Sequence, residues 1–255
     1  MSYQLYNQDS FEVIKTLPPN SVHICVEDMP YFKTTLEFDC ELNDGKPIDY
    51  TKRKDIRLVE DYLERYLEAR QRLCMANGVL VLTSKQPFTT VLNYVLLPYL
   101  VDEFVWAKSN HTNQFVVKRK IASRHEMVSV FAFGKGYTFN PQFTKGVPYK
   151  GFASENGKQV GKVLGSAKSV HYENEGTRYA HSIQHFGREY GLHPVQKPVG
   201  LMEMAIRWFS NEGDTVFDGF MGSGATIKAA MNCNRHSIGC EIDARQYQIA
   251  ENSLK

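Results

Sequence analysis

A chain of 255 residues with 42% hydrophobic content can bury the core of one large α/β domain, or of one domain that carries an insertion. Its longest apolar patch, residues 91–100, contains a proline and is too short to span a membrane, and residues 1–10 lack the pattern of a signal peptide. Five cysteines without a CxxC pair argue against a structural zinc site and favour a reducing, cytoplasmic environment.

The formal net charge of +2 conceals an asymmetry along the chain. Residues 108–190 hold 13 Lys and Arg against 5 Glu and no Asp, a net charge of +8, so the remainder carries −6. A solvated basic surface would give the same count. Because the charge is concentrated in one segment that also carries aromatic residues, we expect this segment to contact a polyanion.

The first 135 residues alternate predicted strands and helices. A helix at 9–17 begins with Asp9 or Ser10 as its N-cap, and residues 56–74 have the apolar spacing of a long amphipathic helix. Predicted strands lie at 3–7, 21–27, 77–84, 102–109 and 126–134, with a basic loop at 110–125 between the last two.

Residues 136–190 show no sustained periodicity, are rich in Gly, Lys, Ser and Tyr, and are too long for an ordinary loop, so we interpret them as an insertion. The α/β pattern then resumes, and repeated βα units predict a Rossmann-like, doubly wound, mostly parallel sheet. The predicted elements of this last part are a helix at 198–210, a strand at 214–220, a helix at 224–234, a strand at 236–243 and a helix at 244–254.

The stretch FDGFMGSGATIKAA, residues 217–230, reads as a strand, a glycine turn and a helix. Gly222 and Gly224 allow a tight turn and close approach of a ligand to the backbone. Glu241 ends the next predicted strand, 23 residues after Asp218, where a carboxylate suits a ribose diol. A lone GxG pair is weak evidence, but the whole arrangement indicates an adenosine-type cofactor, and the absence of GxxxxGK[ST] argues against a nucleoside triphosphate.

Three motifs together resemble those of the S-adenosylmethionine-dependent DNA amino-methyltransferases. DMPY at 28–31 resembles their (D/N/S)PP(Y/F/W) motif, and FMGSGA at 220–225 resembles their FxGxG motif. HPVQKPVGLMEMAIRWFSNEGDTVFD at 193–218 resembles the HPTQKP segment and helix of the permuted, β-type members, whose motif order this chain shares. The likeness covers most of the chain outside 136–180, is closest to compact phage and prophage enzymes, and also takes in residues 6–22, 81–88 and 104–109.

The resemblance implies a catalytic half at 1–135, a target-recognition insertion at 136–190 and a cofactor-binding half at 191–255. In the catalytic motif, Asp28 would accept a hydrogen bond from the target amine, the backbone carbonyl of Met29 would accept a second, and Tyr31 would stack on the flipped base. Met29 replaces the family's proline, yet its carbonyl remains, and Pro30 still restricts it to extended conformations. We therefore expect activity to persist; the alternative is a decayed enzyme that binds without methylating.

The resemblance also assigns cofactor contacts. Several of these residues also have a purely structural interpretation. Asp9 could be only a helix cap, and His193 and Gln196 could only build a turn. Lys197 could be a surface lysine, and Glu241 could be a carboxylate at a strand end. The implied contacts are Asp9 at the adenine end, His193, Gln196 and Lys197 at the methionine end, and Asp218, Phe220, Gly222, Gly224 and Glu241 around the glycine turn.

The basic loop and its neighbours are the predicted contact to double-stranded DNA, through Lys118, Arg119, Lys120 and Arg124. Five histidines lie between 108 and 190, but none forms a convincing metal pair, so no metal is predicted.

The resulting hypothesis is a site-specific adenine-N6 DNA methyltransferase in the cytoplasm of a bacterium or phage-infected cell. Asp at position 28 and Tyr at 31 favour adenine, since the cytosine-N4 enzymes of this family more often begin the motif with Ser. Cytosine N4 is the first alternative, a non-catalytic DNA- or cofactor-binding protein is another, and protein or RNA targets fit less well. A homodimer and a cognate restriction endonuclease are further expectations.

Overall fold

The computed structural model describes residues 1–36, 39–111, 117–153, 170–187, 189 and 196–255. In the first half, the strands and helices follow the alternation expected from the sequence. They are β1 (Tyr3–Tyr6), α1 (Ser10–Thr16), β2 (Val22–Glu27), α2 (Arg53–Leu73), β3 (Cys74–Ser84), α3 (Phe88–Val95), β4 (Leu100–Ala107) and β5 (His125–Ala132), with short 3-10 helices at Glu41–Asn43 and Leu97–Tyr99.

The second half continues this alternation after a group of short strands. Its elements are β6 (Phe143–Lys145), β7 (Tyr149–Ala153), β8 (Val170–Asn174), β9 (Thr177–Tyr179), β10 (Ile183–His185), α4 (Val199–Phe209), β11 (Thr215–Asp218), α5 (Ala225–Asn232), β12 (His236–Cys240) and α6 (Ala244–Leu254).

An eight-stranded sheet forms the centre of the fold, in the order β1-β12-β11-β2-β3-β5-β4-β10. Strand β5 runs antiparallel to both of its neighbours, and every other pairing is parallel. Inner strands such as β2 are almost wholly buried, as expected for a sheet covered on both faces. The predicted Rossmann-like, mostly parallel sheet is therefore confirmed.

The helices show where local patterns were sufficient and where they were not. Asp9 caps α1, because its side chain accepts the Phe11 N–H at 2.6 Å, and α2 buries one face of its amphipathic sequence. The structure adds α3 at 88–95, where no element was predicted from the sequence; a short apolar run of this kind fits a buried strand as well as a helix. No helix in the described part of the chain is both long and apolar enough to span a membrane.

The chain divides into two compact units, residues 1–140 with 182–255, and residues 141–181. In the second unit, β6 pairs with β9 and β7 with β8, each pair antiparallel. The predicted insertion was longer, since it ran from 136 to 190, whereas β10 pairs with β4 in the central sheet. The functional roles given to the three segments stay predictions.

Candidate active site

The DMPY stretch lies directly after β2, at the carboxyl edge of the sheet. Strand β2 pairs in parallel with β11 on one side and β3 on the other, so DMPY lies next to the carboxyl ends of both strands. Ligands of doubly wound sheets bind at such strand ends. Tyr50 stabilises the DMPY loop, because its hydroxyl donates to the Tyr31 carbonyl at 2.7 Å.

Both oxygens of the Asp28 carboxylate accept from neighbouring donors. Its Oδ1 accepts hydrogen bonds from the Tyr31 hydroxyl, at 2.8 Å, and from the Thr83 hydroxyl. Its Oδ2 forms an ion pair with the Lys197 ammonium. Lys197 was assigned to the methionine end of a cofactor, and the structure places it against Asp28, with 10% of its side chain exposed.

Tyr31 is held as a neutral phenol in a fixed orientation. Burial, together with the negative charges of Asp28 and Glu126, raises its pKa well above the usual value. Its ring packs nearly parallel to Phe88, with the centroids 5.6 Å apart and an interplanar angle of 21°. A fixed aromatic plane beside a carboxylate is suited to holding a flat heterocycle.

Met29 fills space in the main core cluster and is only 2% exposed. A thioether side chain reaches further than a proline ring, so the substitution adds apolar burial while the backbone carbonyl remains. Pro30, next in the chain, completes the motif.

A second carboxylate, Glu126, lies beside Asp28 and was missed from the sequence. Its Oε1 forms an ion pair with Lys108, and its Oε2 lies 3.6 Å from the Lys197 Nζ. Burial alone would raise the pKa of Glu126, but the Lys197 and Lys108 ammonium groups outweigh burial and lower it. Likewise, burial would lower the pKa of Lys197, but Asp28 and Glu126 raise it. Burial lowers the pKa of Lys108, although Glu126 opposes this shift. Asp28, Glu126, Lys108 and Lys197 thus form one cluster of interacting charges, on which the nearby Lys85 also acts.

Thr83 could have been found from the sequence, and Glu126 could not. Thr83 lies near the end of the strand predicted at 77–84, and this strand pairs with β2, after which DMPY lies. Glu126 occupies the beginning of a predicted strand, and only the register that pairs it with Trp106 on β4 brings it to this edge.

The glycine turn lies between β11 and α5 as predicted. Gly222 and Gly224 have φ values of +51° and +85°, which side chains rarely adopt. The Gly222 N–H donates to Glu241 Oε2 and the Asp243 N–H to Glu241 Oε1, both at 2.9 Å. The structure therefore brings Glu241 to the turn, where burial raises its pKa.

A buried ion pair fixes the beginning of this turn. Glu27 Oε1 accepts the Gly219 N–H and an Arg70 N–H, both at 2.8 Å, and neither charged side chain is exposed. Asp218 is also buried and accepts the Phe220 N–H at 2.9 Å. Burial, and then the nearby Glu27, raises the pKa of Asp218 to about 8.

We expect Asp218 to make stability fall as pH rises. Below pH 8 the native protein holds a proton that the unfolded chain, with a carboxyl pKa near 4, has released. Stability is therefore lost between about pH 4 and pH 8, by up to about 1.4 kcal/mol per pH unit. Asp218→Asn mimics the protonated form, so urea unfolding from pH 5 to 9 should show a flatter profile for the variant; parallel profiles would contradict the assignment.

The remaining predicted site residues are placed as follows. Asp9 is a helix N-cap, and a role at a cofactor stays a prediction. Gln196 donates to Glu189 at 3.3 Å, and its Oε1 is buried without a hydrogen-bond donor among the described residues. His193 lies outside the described residues.

The predicted DNA contacts Lys118, Arg119 and Lys120 lie together in an exposed turn. Arg124 donates to the carbonyls of Lys108 and Ser109, at 3.3 and 2.8 Å. Within the described ranges, no three His, Cys, Asp or Glu side chains are grouped so that they could hold a metal ion.

Comparison with known proteins matches residues 22–252 to the N6/N4 DNA methylase family. The Type II methyltransferase M.HpaI of Haemophilus parainfluenzae is 27% identical over 261 residues, covering all of this chain and 74% of that protein. The crystal structure of the M1.HpyAVI–SAM complex matches with a TM-score of 0.65 and 24% identity over 99% of both chains. The PvuII DNA methyltransferase, described as cytosine-N4-specific, matches with a TM-score of 0.69 and 15% identity over 98% of this chain and 86% of that one. The predicted family is confirmed.

Proposed function

The chain belongs to the N6/N4 DNA methylase family, and from this premise we propose that it methylates the exocyclic N6 amine of adenine in double-stranded DNA, with S-adenosylmethionine as donor. The observation that carries the proposal is the Asp28 carboxylate beside the Tyr31 ring, on the strand next to the glycine turn. The PvuII enzyme shows that this fold also serves cytosine N4, which is the second candidate.

The chemistry explains why a carboxylate is needed. The lone pair of an exocyclic amine is delocalised into the ring, so the amine is a poor nucleophile. Hydrogen bonds from its N–H groups to Asp28 and to the Met29 carbonyl localise that lone pair on nitrogen. The nitrogen then attacks the methyl carbon of the sulfonium, the C–S bond breaks toward sulfur, and the methylated nitrogen releases one proton. Alignment of amine and methyl group supplies much of the rate.

The base must leave the duplex to reach Asp28, and Tyr31 is the surface on which it stacks. The exposed turn at Lys118, Arg119 and Lys120 is proposed to contact DNA phosphates, which makes affinity salt-dependent. Asp at position 28 with Tyr at 31 supports adenine over cytosine. A homodimer, a partner nuclease and a cytoplasmic location stay predictions.

The proposed cofactor site is the glycine turn with Glu241. Each Glu241 oxygen accepts one backbone N–H and keeps a second lone pair with which to accept from a ribose hydroxyl. Asp218 and Phe220 would contact the cofactor beside this turn, as the family resemblance implies.

Glu241→Ala is expected to weaken S-adenosylmethionine binding by about tenfold or more, because the ribose loses charge-assisted hydrogen bonds and the Gly222 N–H loses its acceptor. Isothermal titration calorimetry measures the Kd directly. Glu251→Ala, which removes a partly exposed glutamate from α6, is the matched control. An unchanged Kd for Glu241→Ala would rule out the ribose contact.

The experiment that tests the function is mass spectrometry of nucleosides digested from unmethylated DNA after incubation with the protein and S-adenosylmethionine. The proposal expects N6-methyldeoxyadenosine. N4-methyldeoxycytidine would change the target and keep the mechanism. Cofactor binding without any methylated base would indicate a decayed catalytic motif or a different substrate.

A further inference from the structure

The two oxygens of Glu126 are used unequally. Oε1 is engaged by the Lys108 ammonium, which is buried and also lies 4.2 Å from the centre of the Trp106 ring. Among the described residues, the contacts of Oε2 are long, at 3.6 Å to the Lys197 Nζ and 3.4 Å to the Tyr31 hydroxyl. Glu126 thus has one oxygen in a close ion pair and a second oxygen, Oε2, that can accept a shorter hydrogen bond.

The same two donors, Lys197 and Tyr31, occupy Asp28. The proposed function requires the target amine to donate to this carboxylate as well. Oδ1 already accepts two hydrogen bonds, so the amine must share Oδ2 with Lys197 or displace Lys197 from it. The phenol carries a single proton and can donate to Asp28 or to Glu126, but not to both. A buried ammonium that left Asp28 without finding another carboxylate would be strongly unfavourable.

We propose that Glu126 is a positioning residue that receives Lys197, and with it the Tyr31 hydroxyl, when the target amine binds Asp28. This inference rests on the proposed function. Within the described contacts, Glu126 Oε2 is the second carboxylate oxygen near Lys197, at 3.6 Å from its Nζ, and Lys108 holds the carboxylate in place through Oε1. The Tyr31 hydroxyl lies 3.2 Å from Thr83 Oγ1 and 3.4 Å from Glu126 Oε2, and of these two acceptors only Glu126 carries a charge. The exchange moves the Lys197 ammonium between two carboxylates, so the net charge of the cluster stays the same and no proton has to move.

The exchange has a chemical consequence for the reaction. While Lys197 is bound to Asp28, its positive charge weakens the carboxylate as a hydrogen-bond acceptor. Transfer of the ammonium to Glu126 makes Asp28 a stronger acceptor at the time when the amine lone pair must be localised. The effect of Glu126 should therefore appear in kcat rather than in cofactor binding.

The test compares Glu126→Gln, Glu126→Asp and wild type in methyl transfer to DNA. Gln keeps the shape and removes the charge, so kcat should fall about 10- to 100-fold while the Kd of S-adenosylmethionine stays within about twofold. Asp keeps the charge and should restore most of kcat. Glu60→Gln, the same change in the Arg53–Glu60 ion pair on α2, should have no effect.

The double variant Lys108→Met/Glu126→Gln removes both members of a buried pair and so avoids an uncompensated cation. It should bind cofactor normally and show the same loss of kcat. A kcat within about twofold of wild type for Glu126→Gln, or an equal loss of kcat and cofactor affinity, would overturn the inference. If wild type itself transferred no methyl group, the proposed function would fail first, and the two failures are therefore distinguishable.

Discussion

Asp28→Ala should lower methyl transfer by at least about 10²- to 10³-fold and leave the affinity for S-adenosylmethionine nearly unchanged. The substitution removes the side-chain acceptor that localises the amine lone pair, whereas the glycine turn and Glu241 are untouched. Lys197 keeps Glu126 as a partner at 3.6 Å, so the variant does not leave a lone buried cation. Transfer of a tritiated methyl group to DNA measures the loss, and calorimetry measures cofactor binding.

Asp28→Asn is the matched control for shape. It keeps one oxygen acceptor in the same place but loses the negative charge, so its activity should lie between those of Asp28→Ala and wild type. Turnover retained by Asp28→Ala at a level near wild type would reject the assigned role of Asp28. A parallel loss of cofactor affinity would show instead that the loop supports the cofactor turn.

Glu27→Ala should lower the free energy of unfolding by about 3–5 kcal/mol, because it leaves the buried Arg70 guanidinium without a counter-charge. The Gly219 N–H and the Tyr66 hydroxyl would also lose their acceptor. Arg70 cannot escape by deprotonation: burial disfavours its charge, but Glu27 outweighs burial and raises its pKa in the folded protein. Urea denaturation followed by circular dichroism gives the change in stability.

The double variant Glu27→Ala/Arg70→Met separates charge from packing. Removing both charges eliminates the uncompensated cation, so part of the stability should return relative to Glu27→Ala alone. A loss below about 1 kcal/mol for Glu27→Ala would mean that water reaches the guanidinium and that the pair is not structural. Because Glu27 accepts from the backbone of the glycine turn, the single variant should also bind cofactor more weakly.

The principal site residues could be located from the sequence because each belongs to a local pattern. Asp28 and Tyr31 follow a buried strand, Gly222 and Gly224 occupy a turn that needs positive φ, and Glu241 follows the next strand. The family resemblance implied that these residues share one site, and the carboxyl ends of parallel strands do meet at one edge of a sheet. Their individual roles stay predictions to be tested by the variants above.

The ionic environment of that site was not evident from the sequence. A charged residue in a helix or strand is usually interpreted as facing solvent, since burial of a charge is costly without a partner. The partners of Glu27 and Glu126 come from distant parts of the chain: Arg70 on α2, Lys108 after β4, and Lys197 before α4. Sequence spacing carries no information about such pairs.

The sequence by itself therefore determined the α/β architecture and the order of the motifs, because strand ends, glycine turns and helical spacing are properties of neighbouring residues. The resemblance of those motifs to a known family then indicated the family. Only the tertiary structure showed that Asp28 forms an ion pair with Lys197 and that Glu126 lies close to the same ammonium group. That arrangement depends on the antiparallel register of β5 against β4. Register places side chains that are far apart in the chain within one ion-pair distance, and burial then makes their charges strongly interdependent.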